Sequence, residues 1–296
     1  MLLLSFRTDL ALETKEIYGK AIPGLDYEEK FEENVKITDI KITSNDASKK
    51  LNKPKGEYIT IEFKTLTNNF YNNDSRIKII SKEIKKLLPE KGLVLVVGIG
   101  NTEITPDALG PKAASYILAT RHIKGEIAKS TGLDKLRPVC VASPGVLGQT
   151  GIETNEFILS MVRKVNPNCV ILIDALASKN TKHLGCTIQI SDTGISPGSG
   201  VGNSRPCISK EILGVPVISV GVPTVVDAST LANDLIDISK IEKNINDIIY
   251  PHGTDMMVTP REIDLLIQRA SKLIGLSINC ALQDNLNSED IFYLVC

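Results

Sequence analysis

The chain has 296 residues, of which 42% are apolar and 23% charged, and its formal net charge is −1. These values are typical of a globular protein with a sizeable core. Because the charge is nearly balanced, there is no electrostatic reason to expect direct binding to nucleic acid or to a membrane surface.

No targeting segment or membrane span is predicted. The apolar residues 1–6 are followed at once by Arg7 and Asp9, without the basic start, long apolar run or small-residue cleavage site of a signal peptide. The six cysteines are scattered and form no CxxC pair, which favours reduced thiols in a cytoplasmic protein.

Residues 1–92 are more polar than the rest of the chain and show few clear periodic patterns. The alternation in YITIEF predicts a strand over 58–63, and an apolar stripe predicts a helix over 75–88. The stretch 26–33 carries mixed charges, and no element is predicted there.

A different pattern begins at residue 93. Short β-branched runs predict five buried strands, LVLVVGI (93–99), PVCVA (138–142), CVILID (169–174), CTIQIS (186–191) and PVISVGV (216–222). Helical patterns lie between and after them, over 112–123, 153–164, 229–239 and 259–274. The alternation predicts an α/β fold, an open, mostly parallel twisted sheet with helices on both faces and an extra N-terminal region that contains strands. We expect one domain over 10–296, with a catalytic core over 93–296.

Two aspartates fall where such a sheet has its ligand crevice, outside the carboxyl ends of the strands. Asp174 closes the run CVILID, where an acid is costly to ionise unless it is paired or functional. Asp107 follows a Thr-Pro pair and can lie in the first turn of a helix. Structural roles, a cap or loop bond for Asp174 and a helix-start acid for Asp107, stay open. If the two meet, one tends to keep a proton while the other acts as a base that activates water.

Further candidates follow neighbouring strands. Glu153 follows the second predicted strand and Asp192, in SDTG, follows the fourth. Pepsin-like proteases need two such DTG loops in an all-β fold, so one triplet in an α/β chain is a weak signal. Gly198 and Gly200 belong to PGSGVGNSR (197–205), whose backbone N–H groups can form a nest for an anion or an oxyanion, or simply a tight turn.

Other enzyme chemistries lack their sequence patterns. The three histidines are far apart and form no HExxH, so neither a metal site nor a cofactor is predicted. The glycine-rich segments lack the GK[ST] of a phosphate-binding loop and the third glycine of a dinucleotide turn. No GxSxG elbow supports a serine nucleophile.

Long motifs of this chain resemble, in the same order, the spore germination protease family of Firmicutes. They are GIGNTEITPDALGP, SPGVLGQTGIET, IDALAS, TIQISDTGISPGSGVGNSR, LGVPVISVGVPTVVDA and MMVTPREID, with RTDLALETK at the amino end. The resemblance implies a cytoplasmic endopeptidase of the spore that degrades small acid-soluble spore proteins and assembles as a homotetramer. It also implies a fold similar to that of hydrogenase maturation peptidases.

The resemblance selects the site residues. The aspartates of TPDALG and IDALA, here Asp107 and Asp174, correspond to the catalytic pair, and Asp192 and the glycine-rich loop would help to shape the cleft. Hydrogenase maturation peptidases use the acid at the position of Asp107 to contact a metal. A metal-dependent maturation-type peptidase therefore stays as an alternative, as does a non-catalytic binding module on the same scaffold.

The amino end has a role by the same resemblance. The family is made as a zymogen that removes a short segment by autoprocessing, and the resemblance places the cut between Asp9 and Leu10. Residues 1–9 would then be a propeptide. The segment from Asp9 to Glu13 is similar to the family's substrate sites, which have the sequence Glu-apolar-Ala-Ser-Glu, so it can occupy the cleft as a tethered substrate at high effective concentration.

Overall fold

The computed structural model describes residues 8–18, 22–71, 74–130, 132–198, 205–235 and 256–295. One sheet connects the amino-terminal part of the chain with the rest. Within the described ranges, no helix combines the length and the apolar character needed to cross a membrane.

The sheet has the strand order β1-β2-β3-β7-β8-β6-β4-β5, and β9 pairs with β8. The strands are β1 Leu25–Glu32, β2 Val35–Ile42, β3 Gly56–Glu62, β4 Val94–Gly98, β5 Val139–Ala142, β6 Cys169–Ser178, β7 Thr187–Ser191, β8 Val217–Asp227 and β9 Met257–Val258. Strands β5, β4, β6 and β8 are parallel, whereas β1, β2, β3 and β7 join antiparallel. The predicted open α/β sheet with extra N-terminal strands is confirmed, and its parallel part consists of β4, β5, β6 and β8.

Helices cover both faces of the sheet, as the sequence predicts. They are α1 Ala11–Tyr18, α2 Asn45–Leu51, α3 Ser75–Leu87, α4 Leu109–Ala114, α5 Glu126–Ser130, α6 Leu147–Thr150, α7 Thr154–Val165, α8 Lys210–Leu213, α9 Ala228–Leu235, α10 Ile263–Leu282 and α11 Ser288–Val295. Val94 and Val96 pack with α3, α4 and α10, whereas Leu95 and Val97 pack with α7 and α8. Successive strand residues point to opposite faces, so the continuous apolar run of β4 fills two cores.

The helix predicted over 112–123 is much shorter and ends at Ala114. Asn279 of α10 accounts for the change: its side chain accepts from the Leu118 N–H at 2.9 Å and donates to the Tyr116 carbonyl at 2.8 Å. The backbone of this stretch therefore bonds a side chain 161 residues away in sequence in place of its own helical hydrogen bonds. Local pattern cannot reveal such a contact.

The last predicted helix, over 259–274, begins later and is longer, at Ile263–Leu282. The preceding residues are drawn into the sheet, because Met257 and Val258 pair with the end of β8. The predicted start at Thr259 is therefore wrong. The helix predicted over 229–239 is described as Ala228–Leu235, and residues 236–239 lie outside the described part.

Candidate active site

A tight turn that follows β4 positions Asp107. The 3₁₀ turn Thr105–Asp107 leads directly into α4. The N–H of Asn101 donates to Oδ2 of Asp107 at 2.7 Å. Gly100 has φ +128°, and a Cβ there would lie 2.0 Å from the Asp107 carbonyl oxygen, so this approach requires glycine. Burial raises the pKa of Asp107, while the Asn101 hydrogen bond lowers it.

Asp174 lies inside β6 and does not end the strand, contrary to the sequence prediction. The strand continues to Ser178 because it stays paired with β8 along this stretch, and Asp174 stands opposite Gly221. The side chain does not cap a helix: its Oδ1 accepts from the adjacent Ala175 N–H at 2.9 Å. Only 5% of the residue is exposed.

The environment of Asp174 favours its protonated form. Burial raises its pKa well above the ordinary value, and the charge of Asp107 raises it further. The Ala175 hydrogen bond opposes the shift, and the charge of Asp9 adds to it. A buried carboxyl beside a second carboxylate keeps its proton, because two close charges in a poorly solvated site repel each other.

Close packing of α4 on the sheet brings Asp107 near Asp174. A Cβ on Gly110 would lie 2.2 Å from the carbonyl oxygen of Ile99 and 2.3 Å from that of Ile173. The start of the helix therefore rests directly on the ends of β4 and on β6. Glycine at this position allows Asp107 to approach Asp174.

Both aspartates line a cavity of about 1420 Å³. Its wall combines loops after the central strands with the amino-terminal segment and the end of α2. Its lining also includes Thr8, Asp9, Lys53, Glu153, Gln189, Gly198, Arg205 and Gly221. Among the described residues, no three His, Cys, Asp or Glu side chains converge in a way that could hold a metal ion.

The remaining predicted site residues take different positions. Glu153 lines the cavity and pairs with Arg205, with Nη1 3.0 Å from Oε1. Asp192 is exposed, and its Oδ1 accepts from the Glu57 N–H at 2.7 Å, so it joins β7 to the start of β3 and is not among the described lining residues. Gly198 lines the cavity, whereas Gly200 lies outside the described residues.

The amino-terminal segment, residues 8–13, lies at the cavity and contacts β6. The Asp9 N–H donates to the Ala177 carbonyl at 2.9 Å, and the Ala177 N–H donates to Oδ2 of Asp9 at 2.8 Å. Leu10, the next residue, is fully buried. The peptide bond between Asp9 and Leu10 is thus held at the cavity that contains Asp107 and Asp174.

The carbonyl oxygen of Asp9 accepts two side-chain hydrogen bonds. Nζ of Lys53 lies 3.0 Å from it, and Nε2 of Gln189 lies 3.1 Å from it. The same lysine reaches the Thr8 carbonyl at 3.1 Å. Sequence reasoning missed both residues, since Lys53 lies in a polar turn and Gln189 is one polar residue within an apolar strand.

Glu13 fixes the other end of this segment. Its carboxylate is buried, with 1% exposure, and accepts from Ser178 Oγ at 2.9 Å and from the N–H groups of Lys179 and Asn180, both at 2.7 Å. The hydroxyl of Thr8 bonds the same carboxylate. The sequence predicts Glu13 as part of the cleavage motif, but not the group of donors that binds it.

Comparisons with known proteins agree with the motifs. The family model described as "Germination protease" matches residues 7–243. Among curated relatives, the germination protease of Clostridium perfringens is 44% identical, covering 96% of this chain and 97% of its own length. That of Caldanaerobacter subterraneus subsp. tengcongensis is also 44% identical, covering 100% and 99%, and that of Priestia megaterium is 35% identical, covering 97% and 96%.

A solved structure also matches part of the chain. The [NiFe] hydrogenase maturation protease HycI from Thermococcus kodakarensis KOD1 aligns over 66% of this chain and 98% of its own, with a TM-score of 0.37 and 16% identity. The family assignment depends on the sequence comparisons, which extend over nearly the whole chain. The chain belongs to the germination protease family.

Proposed function

We propose that this protein is an endopeptidase that degrades small acid-soluble spore proteins during germination and is made as a zymogen that cleaves itself between Asp9 and Leu10. One observation carries the proposal. The Asp9–Leu10 peptide bond is held in the cavity that Asp107 and Asp174 line, and the charge of Asp9 acts on Asp174. Membership of a protease family supplies the reaction class.

In the proposed mechanism, Asp107 is the ionised base and Asp174 is the protonated acid. Asp107 takes a proton from water as the hydroxide attacks the carbonyl carbon of Asp9. Asp174 gives its proton to the nitrogen of Leu10 as the C–N bond breaks. The products are a carboxylate at Asp9 and a free amine at Leu10, and proton exchange with solvent restores the two aspartates.

The environments of the two carboxyls support this allocation. Asp174 is the more deeply buried, and both burial and the charge of Asp107 favour its neutral form. Burial raises the pKa of Asp107 as well, but Asp107 is only half-buried and accepts the Asn101 N–H, which lowers its pKa, so Asp107 is the easier of the two carboxyls to ionise. Different environments for two neighbouring carboxyls are the usual basis of an acid–base pair.

The contacts of the segment support a substrate-like role for it. Glu13 lies four residues beyond Asp9, the same spacing as the two acids of the Glu-apolar-Ala-Ser-Glu sites. Both acidic side chains accept backbone N–H groups, Asp9 from Ala177 and Glu13 from Lys179 and Asn180. A spore protein with this pattern would use the same donors once the segment leaves the cavity. We place the protein in the spore cytoplasm as a homotetramer, in line with its family.

Two assays test the proposal. Purified full-length protein is held at mildly acidic pH, and its products are identified by mass spectrometry and amino-terminal sequencing. A new terminus at Leu10 is expected, and Asp107→Asn and Asp174→Asn should each abolish it while the fold stays intact by circular dichroism. Substantial cleavage by either variant would remove that residue from the mechanism.

The second assay incubates the processed protein with a small acid-soluble spore protein. Defined fragments cut after an acidic residue are expected, and their rate should not change when a chelator is added. Loss of activity with the chelator would favour a metal-dependent peptidase. Binding without fragments would favour a non-catalytic module.

A further inference from the structure

The carbonyl group of the Asp9–Leu10 bond is polarised by two donors from separate parts of the fold. Lys53 follows α2, and Gln189 belongs to β7. Their nitrogens lie 3.0 and 3.1 Å from the Asp9 carbonyl oxygen. Both nitrogens are within hydrogen-bond distance of the oxygen that becomes negative when water adds to the carbonyl carbon, so they can stabilise its charge.

The orientation of the Gln189 amide is set by its two partners. Its Oε1 accepts from the Ala11 N–H at 2.7 Å, and its Nε2 donates to the Asp9 carbonyl. Exchanging the two atoms would place N–H against N–H and oxygen against oxygen, so only one orientation satisfies both groups. Gln189 therefore binds the backbone on both sides of Leu10.

The sheet register places Gln189 and Asp174 on opposite sides of Gly221. Asp174 in β6 and Gln189 in β7 each stand opposite Gly221 in β8, which lies between them. Two strand spacings separate their Cα atoms by roughly 10 Å. Gly221 carries no side chain, and the side chain of Leu176 lies over it. Asp174 and Gln189 therefore line the same cavity from either side of β8.

Lys53 is held in place by its own backbone. Asn52 ends α2 in the left-handed conformation, with φ 50°, and the Lys53 N–H donates to the Ser48 carbonyl at 3.1 Å. Burial lowers the pKa of Lys53, while the charges of Asp9 and Glu13 raise it. The described hydrogen bonds of Lys53 are to the carbonyl oxygens of Thr8 and Asp9, so an ammonium there gains attraction when the Asp9 oxygen becomes negative.

We propose that Lys53 and Gln189 form the oxyanion hole of this enzyme, and thus act as catalytic residues beside Asp107 and Asp174. The proposal rests on the proposed cleavage of the Asp9–Leu10 bond. As water adds to the carbonyl carbon, the C=O electron pair moves to the oxygen, where the two donors stabilise the charge. When the C–N bond breaks, that electron pair re-forms the C=O bond and the leaving nitrogen takes the proton of Asp174. The new carboxyl group of Asp9 then loses a proton and becomes a carboxylate.

The experiment measures the first-order rate of self-cleavage of the full-length chain by mass spectrometry. Lys53→Met removes one donor, and Gln189→Glu removes the other while keeping an acceptor for the Ala11 N–H. The matched control is Lys55→Met, which changes an exposed lysine two residues from Lys53. Hydrogen exchange over residues 8–18 reports whether the segment is still bound, and Asp174→Asn tests the proposed chemistry itself.

Each test variant should slow cleavage by roughly 10²–10³-fold. Exchange protection over 8–18 should fall much less than the rate, because the donors bind the neutral segment but interact more strongly with the oxyanion. Lys53→Arg, which keeps charge and donors, should recover part of the rate. The Lys55→Met control should cleave as fast as the wild type.

Two results would overturn the oxyanion hole. One is cleavage by Lys53→Met and Gln189→Glu at the wild-type rate, while Asp174→Asn is inactive; the proposed function would then stand without these donors. The other is a rate loss matched by an equal loss of protection, which would make the two residues anchors of the segment only. Absence of a Leu10 terminus in the wild type would instead contradict the proposed function.

Discussion

Asp9 and Ala177 form a two-point contact in which each residue donates its backbone N–H to the other. The Asp9 N–H reaches the Ala177 carbonyl oxygen at 2.9 Å, and the Ala177 N–H reaches the Asp9 carboxylate at 2.8 Å. The contact holds Asp9 against β6 and orients the acid that precedes the proposed scissile bond. A requirement for an acidic or amide side chain at this position follows from it.

We predict different effects for two substitutions of Asp9. Asp9→Asn keeps an oxygen acceptor for the Ala177 N–H, so self-cleavage should stay within about fivefold of the wild type, since the net value of one hydrogen bond is near 1 kcal/mol. Asp9→Leu leaves that buried N–H unpaired, which costs about 1–3 kcal/mol and should slow cleavage by roughly 5–150-fold. Cleavage rates by mass spectrometry check both. Equal rates for the two variants would show that the contact does not position the bond.

Glu13 provides a second anchor, and we predict that Glu13→Gln slows self-cleavage. The glutamine places an NH₂ group among donors from Ser178, Lys179 and Asn180, and one of those buried donors loses its acceptor. The cost of about 1–3 kcal/mol should weaken binding of the segment and increase hydrogen exchange over residues 8–18.

The matched control for Glu13→Gln is Glu16→Gln in the same helix. Glu16 pairs with Lys182 at the surface, where its side chain is 40% exposed. An exposed pair of this kind contributes little to stability, so the control should cleave like the wild type. If the two variants behave alike, the buried anchor has no role in holding the segment.

The sequence predicts the central strands well because their signal is local. β4 and the first residues of β6 and β8 form near-continuous apolar runs, which are typical of strands buried on both faces. β1 was not predicted, because it is a charged strand at the edge of the sheet, with Lys30 paired to Asp39 of β2. Its pairing partner, and not its own composition, makes it a strand.

The candidate site also contains residues that the local sequence predicts and residues that it does not. Asp107 and Asp174 follow from strand positions and motifs, since both stand close to the ends of apolar runs. Lys53 and Gln189 do not, because each reaches Asp9 across more than 40 residues of sequence. A donor that binds a distant backbone carbonyl carries no local pattern.

We predict that Gly221→Ala impairs both stability and cleavage. A Cβ at this position would lie 2.6 Å from Cγ of Leu176 and 2.9 Å from the carbonyl oxygen of Asp174. The strands must shift, which costs about 1–3 kcal/mol and alters the spacing between Asp174 and Gln189. The temperature of thermal unfolding and the rate of self-cleavage should both fall.

Gly148→Ala is the stability control for Gly221→Ala. Gly148 lies in α6, and a Cβ there meets no atom within 4 Å. Alanine in a helix is favoured over glycine by roughly 0.5–1 kcal/mol, so the control should unfold at the same or a higher temperature. A Gly221→Ala protein as stable and active as the wild type would contradict the close packing at this register.

The last prediction concerns the pH dependence of stability. Because the folded-state pKa of Asp174 is raised above the ordinary value of 3.8, the folded protein binds the proton more tightly than the unfolded chain does. The contribution of Asp174 to the free energy of unfolding is fully present below about pH 4 and is lost as the pH rises through the folded-state pKa. An asparagine side chain is neutral without binding a proton, so the Asp174→Asn protein should be more stable than the wild type at neutral pH.

Thermal unfolding of the wild type and of Asp174→Asn between pH 4 and pH 8 measures the effect. The difference in unfolding temperature should be smallest near pH 4 and grow in favour of the variant as pH rises, since each pKa unit corresponds to about 1.4 kcal/mol. Asp134→Asn, at an exposed carboxylate, controls for a change in net charge. A constant difference across the range would mean that Asp174 is not held protonated, and the roles of acid and base would then have to be exchanged or abandoned.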